Sequence, residues 1–364
     1  MSDKEILIAA TLLKSFDPKQ NIVFCPSVIC KALNIGNFAK IDEPKIEDII
    51  HSICLVITKE KPLPNLFFDQ IKKCGNHLLS VDFQNPVEAS EIINSLVFHQ
   101  TKKIIQKLVY ANELNKDISC LIGSASTFSG QWDYPFEKTV TLKFYSHRPR
   151  QIKFICQKEG IGWNIEEQED WKCLTIPYSN NRRFHICLPK QKDGLQNLIN
   201  NFDETMLTEC CRYDNLMEVN TKIPVIDIET RINLKDKEET MLLPSELFPT
   251  FGTQILSLHT GKFMINEYGT YTEAFKDDGA RCAANFKKAD FTADYPFLFF
   301  CYSSCKCKQL FYSIKIWVTE KLAIISGRNP CLLSSLIPHL YRCDAKKIPE
   351  PEKAEDDIAL KEEE

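Results

Sequence analysis

Apolar residues recur at helical spacing through most of the first 110 positions; beyond about residue 118 they alternate or run unbroken. Ile6, Leu7, Ala10 and Leu13 predict an amphipathic helix over 3–16. Residues 22–24 form a short apolar strand, and Pro26 suits the first turn of a helix reaching about residue 39. Further on, the pattern predicts a helix over 42–53, a strand over 54–58, a helix over 66–74 and a strand over 77–83. Pro86 opens a long helical pattern, 86–109, with Ile92, Ile93, Leu96 and Val97 on one face. The small and apolar run 118–128 predicts a strand covered on both faces. Strand-like segments follow at 140–146, 152–157, 171–176, 183–188, 217–228 and 254–266, with helices predicted over 194–201 and 204–211. Helices early and strands late imply an α+β fold, and no internal repeat is visible.

The chain has 364 residues, 44% of them hydrophobic, which is ample for one large core. A net charge of −4 without a basic cluster argues against a nucleic-acid partner; Lys102-Lys103 and Arg182-Arg183 read as solvated pairs. No run approaches the roughly 18 apolar residues of a membrane span, so no membrane partner is expected. The first residues lack a basic start and a small-residue cleavage site, and sixteen cysteines in so long a chain suggest reduced thiols. The expected location is cytoplasmic, the alternative being extracellular by unconventional release. Residues 1–320 are expected to form one domain, and 321–364 a C-terminal extension, acidic and disordered from about 344.

Catalytic motifs are missing. No His pair has zinc-protease spacing, and there is no nucleophile elbow, dinucleotide loop or phosphate loop. The metal candidate is Cys301, Cys305 and Cys307, but no second Cys pair supports it, so small apolar fillers are the simpler reading. Cys210-Cys211 reads as structural. No enzyme activity, metal or cofactor is expected.

Five segments, in order, carry a resemblance. They are Asn21-Ile-Val-Phe-Cys-Pro26-Ser-Val-Ile29; Val81-Asp-Phe-Gln-Asn with Ile93-Asn94-Ser-Leu-Val-Phe-His-Gln100-Thr101; and Ser124-Ala-Ser-Thr-Phe128-Ser-Gly130-Gln-Trp132-Asp-Tyr-Pro135-Phe136. Leu174-Thr-Ile-Pro177-Tyr178 with Ile186-Cys-Leu-Pro189-Lys190 is the fourth. The fifth is Glu267-Tyr-Gly269-Thr270, followed by Ala293-Asp-Tyr-Pro296-Phe297. Together they resemble serpins, of the intracellular or poxvirus type. The resemblance implies a single domain of three β-sheets and about eight or nine helices, with an exposed reactive loop between Glu267 and Phe291. It also implies a monomer acting on a target protease of serine or cysteine type. The protease cuts the loop, the loop enters the main sheet as a new strand, and the attached protease is distorted. The short stretch between Ile50 and Val81 leaves little room for the surface helix that binds cofactors in some serpins, which weighs against a heparin-type cofactor.

On this resemblance Glu267, Gly269, Thr270, Thr272 and Ala274 form the loop hinge. The cleaved bond lies among Arg281, Cys282, Ala283, Ala284 and Asn285; two registers place it at Ala283 or near Asn285, and Arg281 suits a trypsin-like protease. Cys25, Val28 and Ser124 take the shutter positions beneath the sheet, with fewer polar partners than the family pattern, and Trp132 takes the breach. Because an inserting strand alternates faces, Thr270, Thr272, Ala274, Lys276 and Asp278 point to the core, and the last two carry charge. The alternative reading is a non-inhibitory protein of the same fold, binding through the loop or the acidic tail.

Overall fold

The computed structural model describes residues 3–17, 19–34, 49–59, 71, 75–179, 182–234, 254–270, 286–303 and 310–316. Thr272, Ala274, Lys276, Asp278, the five candidate scissile residues, Cys305, Cys307, most of the predicted helix at 66–74 and the extension 321–364 lie outside them. Contacts divide the chain after Ser326, and all described residues belong to the first unit.

Helix α1 (Asp3–Ser15) buries Ile6, Ala9, Leu12 and Leu13 but leaves Leu7 exposed. Strand β1 (Ile22–Phe24) leads to α2 (Pro26–Leu33), which starts on proline and is buried along almost its whole length. Next come β2 (Ile49–Thr58), β3 (His77–Val81) and α3 (Pro86–Gln100), whose N-cap Asn85 accepts from the Glu88 amide. Strands β4 (Cys120–Phe128), β5 (Gly130–Gln131), β6 (Lys138–Phe144), β7 (Arg150–Glu167), β8 (Trp171–Pro177) and β9 (Arg182–Pro189) follow. The chain continues with α4 (Leu195–Asn200), α5 (Glu204–Cys210), β10 (Leu216–Pro224), β11 (Ile226–Asn233), β12 (Ile255–Ile265) and β13 (Gly269–Thr270). The last elements are β14 (Lys287–Thr292), β15 (Phe297–Ser303) and β16 (Leu310–Ile316).

Two sheets form. One has seven strands, ordered β3-β2-β4-β12-β13-β5, with β11 beside β12. The other has nine, ordered β1-β16-β15-β9-β8-β7-β10-β14, with β6 beside β7. The largest core cluster lies between the sheets and includes Phe128, Trp132, Phe184, Phe263 and Phe299. A second cluster lies under α1, α4 and α5, and a third joins α3 to the other face of the seven-stranded sheet. Strand β4 is buried at all nine positions, with Ile122 in the first cluster and Leu121 in the third.

Several expectations are corrected. Among the described residues there are five α-helices and two sheets, not eight or nine helices and three sheets. The second difference has a visible cause: the 18-residue β7 pairs with β6 near its start, β10 along its middle and β8 at its end, and so fuses two sheets into one. Residues 49–53, expected as the end of a helix, are strand, pairing from Ile49↔Phe128 onward. Ile49 and Ile53 are four apart, a spacing that puts residues on one face of a strand as well as of a helix. The helix expected over 86–109 stops at Gln100 because Lys102 and Lys103 take left-handed conformations, φ 52° and 66°. The chain then folds back onto Asn94, whose Oδ1 accepts the Leu108 and Val109 amides at 2.8 and 3.1 Å. Finally, the segment expected at 217–228 is divided at Val225 between the two sheets.

Candidate functional site

The sequence-predicted residues fall into two linked groups on the seven-stranded sheet. The first is a turn at the end of β12. Asn266 Oδ1 accepts the amides of Tyr268 and Gly269 at 2.9 and 3.1 Å, and the Asn266 amide donates to Gly269 O at 2.9 Å. This tight Asx turn reverses the chain, so that Thr270 pairs antiparallel with Ile265 on one side and Gly130 on the other. Gly269-Thr270 is thereby wedged as a two-residue strand between the ends of β12 and β5.

Three donors from the segment after β5 hold the turn. The Trp132 amide donates to Tyr268 O at 3.0 Å, the Phe136 amide to Glu267 O at 2.8 Å, and Trp132 Nε1–H to Asn266 O at 2.9 Å. Trp132 is fully buried and stacks on Tyr178, with ring centroids 4.4 Å apart. Tyr178 and Thr270 share a buried hydroxyl–hydroxyl hydrogen bond of 2.8 Å, and burial raises the phenol pKa well above its ordinary value. Thr270 thus faces the core between the sheets.

Gly269 is required where it stands. Its φ is +151°, and a Cβ there would lie 2.2 Å from Gly130 O. Gly269→Ala is predicted to destabilise the fold by about 2–3 kcal/mol through backbone strain and clash. A urea midpoint within error of wild type would show that the glycine is not seated in this wedge.

The second group lies deeper, where β4 and β12 run parallel and Ser124 pairs with His259. The Cys25 backbone N–H donates to His259 Nε2 at 3.2 Å, so that nitrogen is unprotonated and Nδ1 carries the hydrogen. Nδ1–H then donates to Ser124 Oγ at 2.9 Å, and Ser124 in turn donates to Leu258 O at 3.3 Å. Cys25, Val28, Ser124 and His259 are all buried. The Cys25 thiol is pushed up by burial and contributes packing, while its backbone contributes the hydrogen bond.

His259, Tyr178 and Asn266 were not singled out as site residues in the sequence. His259 is the one histidine in the strand-like run 254–266, and a lone histidine there has no spacing that marks it as a site residue. The polar partners at the Cys25, Val28 and Ser124 positions are the Cys25 backbone and the Ser124 hydroxyl, both on the His259 imidazole.

Burial lowers the pKa of His259 to about 3, and that of His185 to about 3, helped by nearby Arg183. Both folded values lie below the unfolded value near 6.5, so this stability is present above pH 6.5 and lost as pH falls toward 3. Two histidines acting together are predicted to cost about 4 kcal/mol between pH 7 and 5. The check is the urea midpoint across that range in wild type and in His259→Gln, which should show about half the loss. Equal losses in the two proteins would rule out His259 as a source.

Thr270 and β14 flank residues 271–285 on either side. Strand β14 lies parallel to β10 on the edge of the nine-stranded sheet, fastened by Lys288–Glu218 at 2.8 Å and by Asn220 Nδ2 donating to Asp290 Oδ1 at 2.6 Å. The intervening segment therefore starts in one sheet and ends on the other.

Comparison with known proteins agrees with this geometry. The family described as "Serpin (serine protease inhibitor)" matches residues 38–314. Human Serpin B3 is 29% identical over 269 residues, covering 68% of each chain. Human leukocyte elastase inhibitor is 26% identical over 262 residues, covering 65% of this chain and 69% of its own. The crystal structure of uncleaved ovalbumin superposes with a TM-score of 0.72 at 20% identity, covering 87% of this chain and 98% of that one.

Proposed function

The chain belongs to the serpin family, and from that premise we propose that it is an endopeptidase inhibitor acting by loop insertion. Segment 271–285 is offered to a serine or cysteine protease, and its N-terminal part, once cut free, enters between β4 and β12 as a new strand. The observation that carries this reading is the seat of Gly269-Thr270, two residues already placed antiparallel between the ends of β12 and β5. Continuing that strand needs only that the parallel β4–β12 pairing open from the same end. The name of the human leukocyte elastase inhibitor supports an inhibitory role. A cytoplasmic location, on the strength of sixteen cysteines, is part of the proposal.

A second reading is favoured by Lys276 and Asp278, which share the inward parity of Thr270. Burying either charge unpaired costs several kcal/mol, so insertion loses its race against release of the protease. In that reading the protein binds partners without trapping them.

Incubation with a panel of serine and cysteine proteases separates the two. An SDS-stable covalent complex, with a sharply raised melting temperature after loop cleavage, is the expected result. Clean cleavage within 271–285 with no complex and an unchanged melt would overturn the inhibitory reading.

A further inference from the structure

We propose that Cys173, Cys187 and Cys210 form a thiolate site for one thiophilic d10 metal ion, Zn2+ or Cu(I), buried between the nine-stranded sheet and α5. Cys173 and Cys187 face each other directly across the β8–β9 pairing. Cys210, the last residue of α5, comes down onto them from outside the sheet. Cys187 Sγ lies 3.3 Å from Cys173 Sγ and 3.3 Å from Cys210 Sγ, and all three sulfurs lie within 4.8 Å of one another. Each of the three residues is fully buried.

Isolated buried cysteines are ordinary fillers of an apolar core, and Cys54 and Cys120 are examples in this chain. Here three sulfurs converge from three elements on one point. An ion bound at Zn–S distances of about 2.3 Å in a tetrahedral set needs sulfur separations of about 3.8 Å, so the group has only to open by about half an ångström. Thiolates select soft ions, which excludes Mg2+ and Ca2+. Cys211, next in the chain and half-buried, acts electrostatically on all three thiols but is not one of the converging sulfurs, so a light atom such as a water oxygen would complete a tetrahedral set for Zn2+.

Burial pushes all three thiols well above their usual range, so the empty site holds three protonated sulfurs at neutral pH. Loading Zn2+ therefore releases three protons and leaves a trithiolate of net charge −1; Cu(I) leaves −2. Arg183 lies near enough to act electrostatically on neighbouring Cys211 and His185. Because protons are displaced, affinity rises with pH.

This site is independent of loop insertion and is tested without a protease. The full-length protein, kept reduced and anaerobic, is refolded with Zn2+ in one arm and Cu(I) in the other, then passed through a chelator of known affinity. The expected result is one ion retained per chain in at least one arm, with a raised melting temperature. X-ray absorption should then show a sulfur-only shell, or sulfur plus one light atom, around the ion. Cys187→Ser and, separately, Cys210→Ala should each weaken binding at least 100-fold, while Cys54→Ala leaves it intact. The two variants sit in a strand and at a helix end, so failure of one to fold leaves the other as the test. No retained ion in either arm overturns the proposal. So does binding that survives both substitutions.

Discussion

Replacing Lys276 with threonine and Asp277 and Asp278 with alanine is expected to raise the trapped share of attacking protease at least tenfold. The register follows from pairs already formed. Thr270 lies opposite Gly130 and Ile265, and Ser124 opposite His259. Extending the inserted strand without a bulge sets residue 272 against Phe128 and Phe263, 274 against Ser126 and Gly261, 276 against Ser124 and His259, and 278 against Ile122 and Ser257. Thr272 and Ala274 are small enough for their places. Lys276 is not, because its ammonium would arrive unpaired beside the buried, neutral imidazole of His259, whose Nε2 already accepts from the Cys25 amide. Asp278 would arrive beside Ile122, in the apolar core between the sheets. On the other face, Asp277 would meet Gly123 and Leu258 beneath Leu108. Removing 1.4 kcal/mol from the insertion barrier is worth about tenfold in rate, and each unpaired buried charge costs more than that. The measurement is the molar ratio of protein consumed per protease trapped, for wild type and the triple variant. An unchanged ratio would mean that these charges do not limit insertion, and that this register is not the one used.

Much of the frame was legible because its elements have strong periods or terminal signals. The buried strand β4 announced itself by an unbroken small and apolar run, and α3 by Pro86 at its start. What escaped was set by partners distant in sequence. Ile49 to Ile53 is strand because β4 offers a long ladder to pair with, and the spacing of its isoleucines fits either structure. The end of α3 depends on two left-handed lysines and on Asn94 catching a segment fourteen residues away. At the site, Gly269 and Thr270 carry a short motif, and the structure seats them as a two-residue strand between β12 and β5. The imidazole beneath was not read, because a single histidine on an apolar strand has no spacing signature. The same holds for the three converging thiols, whose separations of 14 and 23 residues match no metal-binding motif.

Trp132→Ala is expected to cost about 3–5 kcal/mol and to loosen the Asn266–Gly269 turn along with the core. The two effects are joined because one side chain serves both. Its ring is stacked on Tyr178, meets Phe136 edge-on at 5.8 Å and lies tilted against Phe184 at 5.5 Å. Its Nε1–H holds Asn266 O, while Tyr178, the ring it stacks on, holds Thr270. Removing the indole leaves a cavity, frees the phenol to shift away from Thr270 and strips one of three donors from the turn. Trp132→Phe separates the terms. It keeps most of the ring packing but leaves Asn266 O without its side-chain donor, for a loss of about 1–3 kcal/mol. Hydrogen exchange reads the local effect. The Gly269 and Thr270 amides should exchange faster in both variants, and more so in the alanine protein, while amides of β8 and β9 follow global stability alone. If Trp132→Ala costs less than about 1 kcal/mol, or the Gly269 and Thr270 amides quicken only in step with those of β8 and β9, the tryptophan does not clamp the turn. On the loop-insertion proposal, residues beyond Thr270 would then start from a turn held by the Asn266 side chain and the backbone donors, without the indole.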